Sequence, residues 1–199
     1  MYWQNILFLY AVVILSAIVH EYAHAWAAFR QGDPTAKYAG RLTLNPLAHI
    51  DLWGTVLLPL FLLFFFQFFF GYAKPVPINP YNFRDQRRGM IWVSIAGVAA
   101  NFLIAISLSL VVRFLPNFFL NPFFVFIIQV NIWLGLFNLL PFPPLDGSKL
   151  LLALADLKSQ RWAGLVEFLS KPWGVILAIL VAMTFLPFLA DWLLGLLLA

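Results

Sequence analysis

The chain has 199 residues, of which 63% are hydrophobic and 10% charged, and its mean hydropathy is +0.91. A soluble domain carries about 25% charged residues, so the composition excludes one and predicts an all-α polytopic membrane protein, since only helices satisfy the backbone in lipid with this pattern. The net charge of +4 is spread over short loops, which suits lipid headgroups and not nucleic acid, and the lack of cysteine excludes disulfides and thiolate metal sites.

About 20 apolar residues cross a bilayer, and residues 6–29 supply the first such run. No basic stretch precedes it and no A-x-A cleavage site follows, so residues 4–29 are expected to be a retained span and not a signal peptide. Its C-terminal half holds His20-Glu21-Tyr22-Ala23-His24, an H-E-x-x-H pattern. On a helix the two imidazoles lie four residues apart on one face and can share one Zn2+. Glu21 follows the first histidine, where it can take a proton from water at the metal. A lone histidine on an apolar helix could be a hydrogen-bonded structural residue. Two histidines and a carboxylate in a span are costly in lipid and read as metal chemistry.

Gly32-Asp33-Pro34 breaks this helix. Residues 35–51 are mixed, with Lys37, Arg41, His49 and Asp51, and are expected to be interfacial and extended, a small β element. Residues 52–70 are apolar and rich in phenylalanine, with Gly54 and Pro59 as places to bend. If they return to the side they started from, eleven of the twelve basic residues share a side and only Arg113 is opposite. The positive-inside rule favours that arrangement, which predicts a re-entrant hairpin with the basic side cytoplasmic. A polar, proline-bearing loop covers 71–89, a second clear span 90–115 and a turn 117–122. A third span, 123–140, runs into Pro141-Phe142-Pro143-Pro144-Leu145-Asp146-Gly147. Charges over 148–171 are spaced as on an amphipathic surface helix, and 173–198 form the last span, with a kink expected at Pro187. About four full transmembrane helices thus accompany a re-entrant or additional membrane segment. With no repeat or linker, residues 1–199 are expected to be one membrane-embedded domain, a catalytic core over about 4–150 followed by the amphipathic segment and last helix over 151–199.

A catalytic zinc usually takes three protein ligands and water. Asp146 stands out as the third. The prolines before it disfavour helix, and Gly147 permits a tight turn, which places the acid on a rigid non-helical segment. Its alternative is a cap or turn carboxylate, because Asp-Gly is common in turns. His20–His24 together with Asn138-Leu139-Leu140-Pro141-Phe142-Pro143-Pro144-Leu145-Asp146-Gly147 resembles the site-2 protease family of intramembrane zinc metalloproteases, peptidase family M50. That family pairs H-E-x-x-H on one span with N-x-x-P-x-P-x-L-D-G on a later one. Ala96-Gly97-Val98-Ala99-Ala100-Asn101 resembles its A-G-P-x-x-N helix, with Val98 in place of the usual proline. Residues 41–51 and 74–80 resemble stretches of its small bacterial members, and Ser148 stands where a second glycine is common.

The resemblance covers roughly residues 16–150. It implies His20, His24 and Asp146 as ligands of one Zn2+ per chain, Glu21 as general base and Asn138 as a donor to the oxyanion or the substrate backbone. The implied reaction is hydrolysis of a peptide bond in a membrane-spanning protein substrate, by an enzyme of a bacterial cytoplasmic membrane. A transmembrane helix hides its amides in its own hydrogen bonds, so the substrate must unwind, and residues 35–50 or 52–70 could supply an edge that pairs with it. Two other functions would use the same residues. A divalent-metal carrier needs a path through both faces and usually repeats, which the sequence lacks, and a catalytically inactive membrane scaffold has no need of Glu21. Asn101 and Asn138 also suit polar contacts between helices. His49 is read as interfacial ahead of fourth ligand or substrate contact, and Arg84, Arg87 and Arg88 as headgroup anchors.

Overall fold

Among the described residues, four helices are long and apolar enough to cross a membrane: Ile6–Gln31, Gln86–Phe114, Asn121–Asn138 and Ile176–Leu198. The computed structural model describes residues 3–66, 71–118, 120–155, 164 and 167–199. In chain order it has α1 (Trp3–Gln31), a single turn α2 (Thr35–Tyr38), a 3-10 turn at Pro46–Ala48 and a π-helical stretch Leu52–Leu57 that continues into α3 (Leu58–Phe66). A 3-10 turn at Pro80–Asn82 then leads to α4 (Gln86–Phe114), α5 (Asn121–Asn138), α6 (Asp146–Leu154) and α7 (Pro172–Leu198). The expected spans are present, and α7 continues through Pro187.

Local chemistry sets the boundaries. Gly32 ends α1 at φ 110, a left-handed conformation that favours glycine, and the Asp33 amide turns back to Ala28 O at 2.9 Å. Asp85 caps α4 by accepting from Arg88 N at 2.9 Å. The Asn121 amide donates to Leu115 O and Pro116 O, closing the turn from α4 into α5.

The central helix is α4, which packs against α1, α5, α6 and α7. Small residues let these helices approach closely, as membrane packing without a hydrophobic driving force requires. Ala105 of α4, Ile128, Ile132 and Leu136 of α5, and Ala182, Leu186 and Ala190 of α7 form one buried cluster. Ala27 and Ala28 of α1 meet Phe83 and Val93 in another. Along α4, Val93, Gly97, Asn101 and Ala105 are all buried. Their four-residue spacing makes one face of the helix.

Two expectations are corrected. The described residues contain no strand, so the small interfacial β element is not formed. Residues 35–51 close local turns instead: Gly40 sits at φ 68, Asn45 accepts from Leu47 N at 3.1 Å, and the Ala48 and His49 amides reach back three residues. Backbone donors used this way are not available to a neighbouring strand. Asp146 also lies inside a helix, in the first turn of α6, because Leu145 is the last extended residue after the prolines.

The apolar helix over Leu52–Phe65 is shorter than the four spans. The chain beyond it is tied back to its start, with Tyr72 N donating to Gly54 O at 3.0 Å, Lys74 N to His49 O at 2.9 Å and Thr55 Oγ1 to Tyr72 O at 3.0 Å. Much of the expected amphipathic helix over 148–171, including Asp156, Lys158 and Arg161, lies outside the described residues.

Candidate metal centre

Ser16, His20 and His24 follow one another at four-residue intervals on α1, so they share a face, and all three are buried. That face meets the Gly97–Asn101 face of α4 and the start of α6. The Nε2 atoms of His20 and His24 lie 2.9 Å apart. Asp146 Oδ2 is 3.0 Å from the first and 2.9 Å from the second.

The opposite ring nitrogens are both engaged. His24 Nδ1 lies 2.7 Å from Val93 O, and a carbonyl oxygen only accepts, so Nδ1 carries the proton and Nε2 a lone pair. His20 Nδ1 lies 2.6 Å from Asn101 Oδ1. Two imidazole lone pairs and a carboxylate oxygen therefore converge with no donor among them, and a cation satisfies all three. Imidazole nitrogen and carboxylate oxygen are zinc ligands, so the donor set fits. The room is made by Gly97, where a Cβ would lie 2.5 Å from His24 Nε2 and 2.6 Å from His20 Nε2. Among the described residues this is the one group of His, Asp and Glu side chains so arranged.

Asp146 is oriented from three sides. The first turn of α6 favours a carboxylate at the positive end of its dipole. Lys149 Nζ lies 2.9 Å from Oδ1, which leaves Oδ2 for the histidines. Gly147 lets α6 start against the end of α5, since a Cβ there would lie 2.1 Å from Leu139 O. At the far end of α6, Arg87 donates from Nε to Ala153 O and from its guanidinium to Leu154 O, each at 3.0 Å. Arg87 thus caps the helix that carries Asp146.

Glu21 does not join the three converging atoms. Its Oε2 accepts from Val76 N at 2.8 Å. Val76 sits between Pro75 and Pro77 and has the one N–H of that triplet. Its segment is held by Asp33, which is buried and accepts from Asn79 N at 2.7 Å, Asn82 Nδ2 at 2.8 Å and Thr35 N at 3.1 Å. Burial alone raises the Asp33 carboxyl, but the donors of Thr35, Asn82 and Asn79 outweigh it and hold the group below its usual range. Asn138 is half-buried, and its amide donates to Leu134 O at 2.9 Å. His49 is buried and stands apart from the cluster, its Nε2 donating to Thr43 O at 2.8 Å. Asn101 is placed behind His20 and not towards open space. Sequence reasoning passed over the roles of Gly97, Val93 and Val76. The visible signal was the Gly97/Asn101 spacing, which puts both residues on one face of a helix.

The model of peptidase family M50 matches residues 115–182. A protein of Bacillus subtilis (strain 168) named "Putative zinc metalloprotease YwhC" is 41% identical over 156 residues, covering 72% of this chain and 67% of the relative. The chain belongs to peptidase family M50. A second relative, "Putative zinc metalloprotease Rip2" of Mycolicibacterium smegmatis, is 29% identical over 184 residues, covering 90% of this chain and 67% of the relative. The chain therefore spans about two thirds of the length of each relative. No solved structure gives a significant match. M50 membership agrees with the motif resemblance and with the cation-shaped cluster: this is a zinc metalloprotease with apolar helices suited to a membrane, acting on protein.

Proposed function

We propose that this M50 protein hydrolyses peptide bonds of membrane-spanning substrates in or near the bilayer, with His20, His24 and Asp146 holding one Zn2+ and Glu21 as general base. The convergence of three lone-pair atoms within 3.0 Å carries the reading. Zinc, when bound, supplies the Lewis acidity that makes water a nucleophile near neutral pH and polarises the scissile carbonyl. The other roles fall to side chains. Val93 O and Asn101 Oδ1 hold the two rings with Nε2 inward. Glu21 is tied through Oε2, and its other oxygen takes a proton from the attacking water and returns it to the leaving amine. The Asn138 amide has two N–H groups. One serves Leu134 O, and the second is free to donate to the substrate carbonyl as charge develops.

The ties that hold residues 49 and 54 to residues 74 and 72 favour a re-entrant course for the segment that starts at Leu52, with the basic loops cytoplasmic in a bacterial membrane. Packing of α7 on α4 and α5 favours a single domain. The test compares the purified parent with Glu21→Gln for zinc content and for cleavage of model transmembrane peptides. Both should bind zinc, and only the parent should cut. Metal flux into proteoliposomes without cleavage would make the chain a carrier, and zinc binding with neither activity would make it a scaffold.

A further inference from the structure

Behind His20 a line of buried amides runs to a main-chain carbonyl. Asn131 Nδ2 lies 2.9 Å from Ile127 O and 3.0 Å from Ser16 Oγ. Its Oδ1 lies 2.9 Å from Asn101 Nδ2, and Asn101 Oδ1 lies 2.6 Å from His20 Nδ1. Both asparagines are 0% exposed, so no water competes along the line.

The polarity of this line follows from its far end. Ile127 O only accepts, so Asn131 turns its NH2 towards it and its Oδ1 towards Asn101. Asn101 then presents NH2 to Asn131 and Oδ1 to His20, and His20 Nδ1 is the protonated nitrogen. The lone pair is left on Nε2, where Asp146 and His24 converge. We propose that Asn131, which the mechanism does not use, is a positioning residue for the metal centre: it fixes the orientation of Asn101 and thereby the tautomer of His20. With Asn131 removed, Asn101 is free to turn over and donate to Nδ1. That puts the proton on Nε2 and takes away its lone pair. Ligand imidazoles are commonly set this way by the partner of their other nitrogen, but here the information comes from α5, one residue further back. Asn131 touches neither metal nor substrate, and Ser16 joins the line through its hydroxyl.

The inference rests on His20 being a ligand. The experiment measures zinc affinity by chelator competition, and the His20 ring tautomer by 15N spectra of metal-free, histidine-labelled protein at a pH where the ring is neutral. The parent should show Nδ1–H at His20; Nε2–H in the parent overturns the proposal without any variant. Asn131→Leu, which keeps the branching at Cγ and removes both polar atoms, should move His20 towards Nε2–H and weaken zinc about 10- to 100-fold. The double variant Asn131→Leu with Asn101→Asp should recover Nδ1–H and affinity to within a few-fold, because a carboxylate accepts whichever way it lies. If Asn131→Leu keeps the parent tautomer and affinity, or if the double variant folds and stays as weak as the single one, Asn131 only packs helices together and the proposal fails. His20→Ala separates the two levels: if it binds zinc as tightly as the parent, the ligand assignment falls, whereas loss of zinc leaves the relay to be decided by the other arms.

Discussion

Replacing Gly97 with alanine perturbs the centre by one methyl group. In a helix, alanine is ordinarily more stable than glycine by about 0.5–1 kcal/mol, so any damage comes from space. The added Cβ would stand 2.5 Å from His24 Nε2 and 2.6 Å from His20 Nε2 and Cε1, where ordinary contact begins at 3.4 Å. One or both rings must retreat by up to about 0.9 Å. Zinc sites hold ligand distances to about 0.2 Å, so this displacement is several times what the site tolerates. Val93 O and Asn101 Oδ1 hold the rings from behind and resist the retreat. Zinc affinity should fall by at least about 100-fold, or about 2.7 kcal/mol, read by chelator competition and by metal content after purification. Gly195→Ala on α7 is the control, because nothing lies within 4 Å of its added Cβ, and it should keep full zinc. A Gly97→Ala protein that retains tight zinc and parental turnover would refute the packing argument.

Removing the Val76 N–H with Val76→Pro deprives Glu21 of its donor; loss of a hydrogen bond to a charged group should lower kcat about tenfold with zinc content unchanged, and an unchanged kcat would deny Val76 that role. For Asp33 the folded carboxyl is depressed, so its stabilisation is present above the unfolded value near 3.9 and is lost as pH falls through the lower folded value. Melting in detergent should therefore show the parent losing stability on acidification below about pH 4, and Asp33→Asn, weaker at neutral pH by about 1–3 kcal/mol, should converge with it there. Parallel pH profiles would contradict this. Arg87→Ala removes two donors from the end of α6; at an exposed site it should cost about 1 kcal/mol of stability by thermal melting, and Arg87→Lys should recover only part of that, because a point charge does not reproduce the fork.

What was legible in the sequence is what depends on short spacing. His20 and His24 lie about one helical turn apart, and their shared face follows from the helical period alone. Asp146 was marked by its prolines and by Gly147, and its carboxylate reaches the histidines, although the local backbone is helical where an extended segment was expected. The proline rule extends only to Leu145, and α6 starts at the next residue. The expected β element failed for a related reason. Residues 35–51 look mixed in composition, but Asn45 and Asp51 accept from amides two and three residues on, and Gly40 turns the chain, so donors are used locally. Roles set by distant partners were not readable. Arg87 reads only as a headgroup anchor, and the fold shows that it caps a helix 66 residues away. Asn101, Asn131 and Val76 take their meaning from residues that only the fold brings near.

The X-ray absorption spectrum of zinc in the purified parent addresses the ligand set most directly. Two imidazole nitrogens and the rest oxygen, at about 2.0–2.2 Å, is the result expected from His20, His24 and Asp146. A protein that holds no zinc, or zinc bound by one imidazole or none, would contradict it.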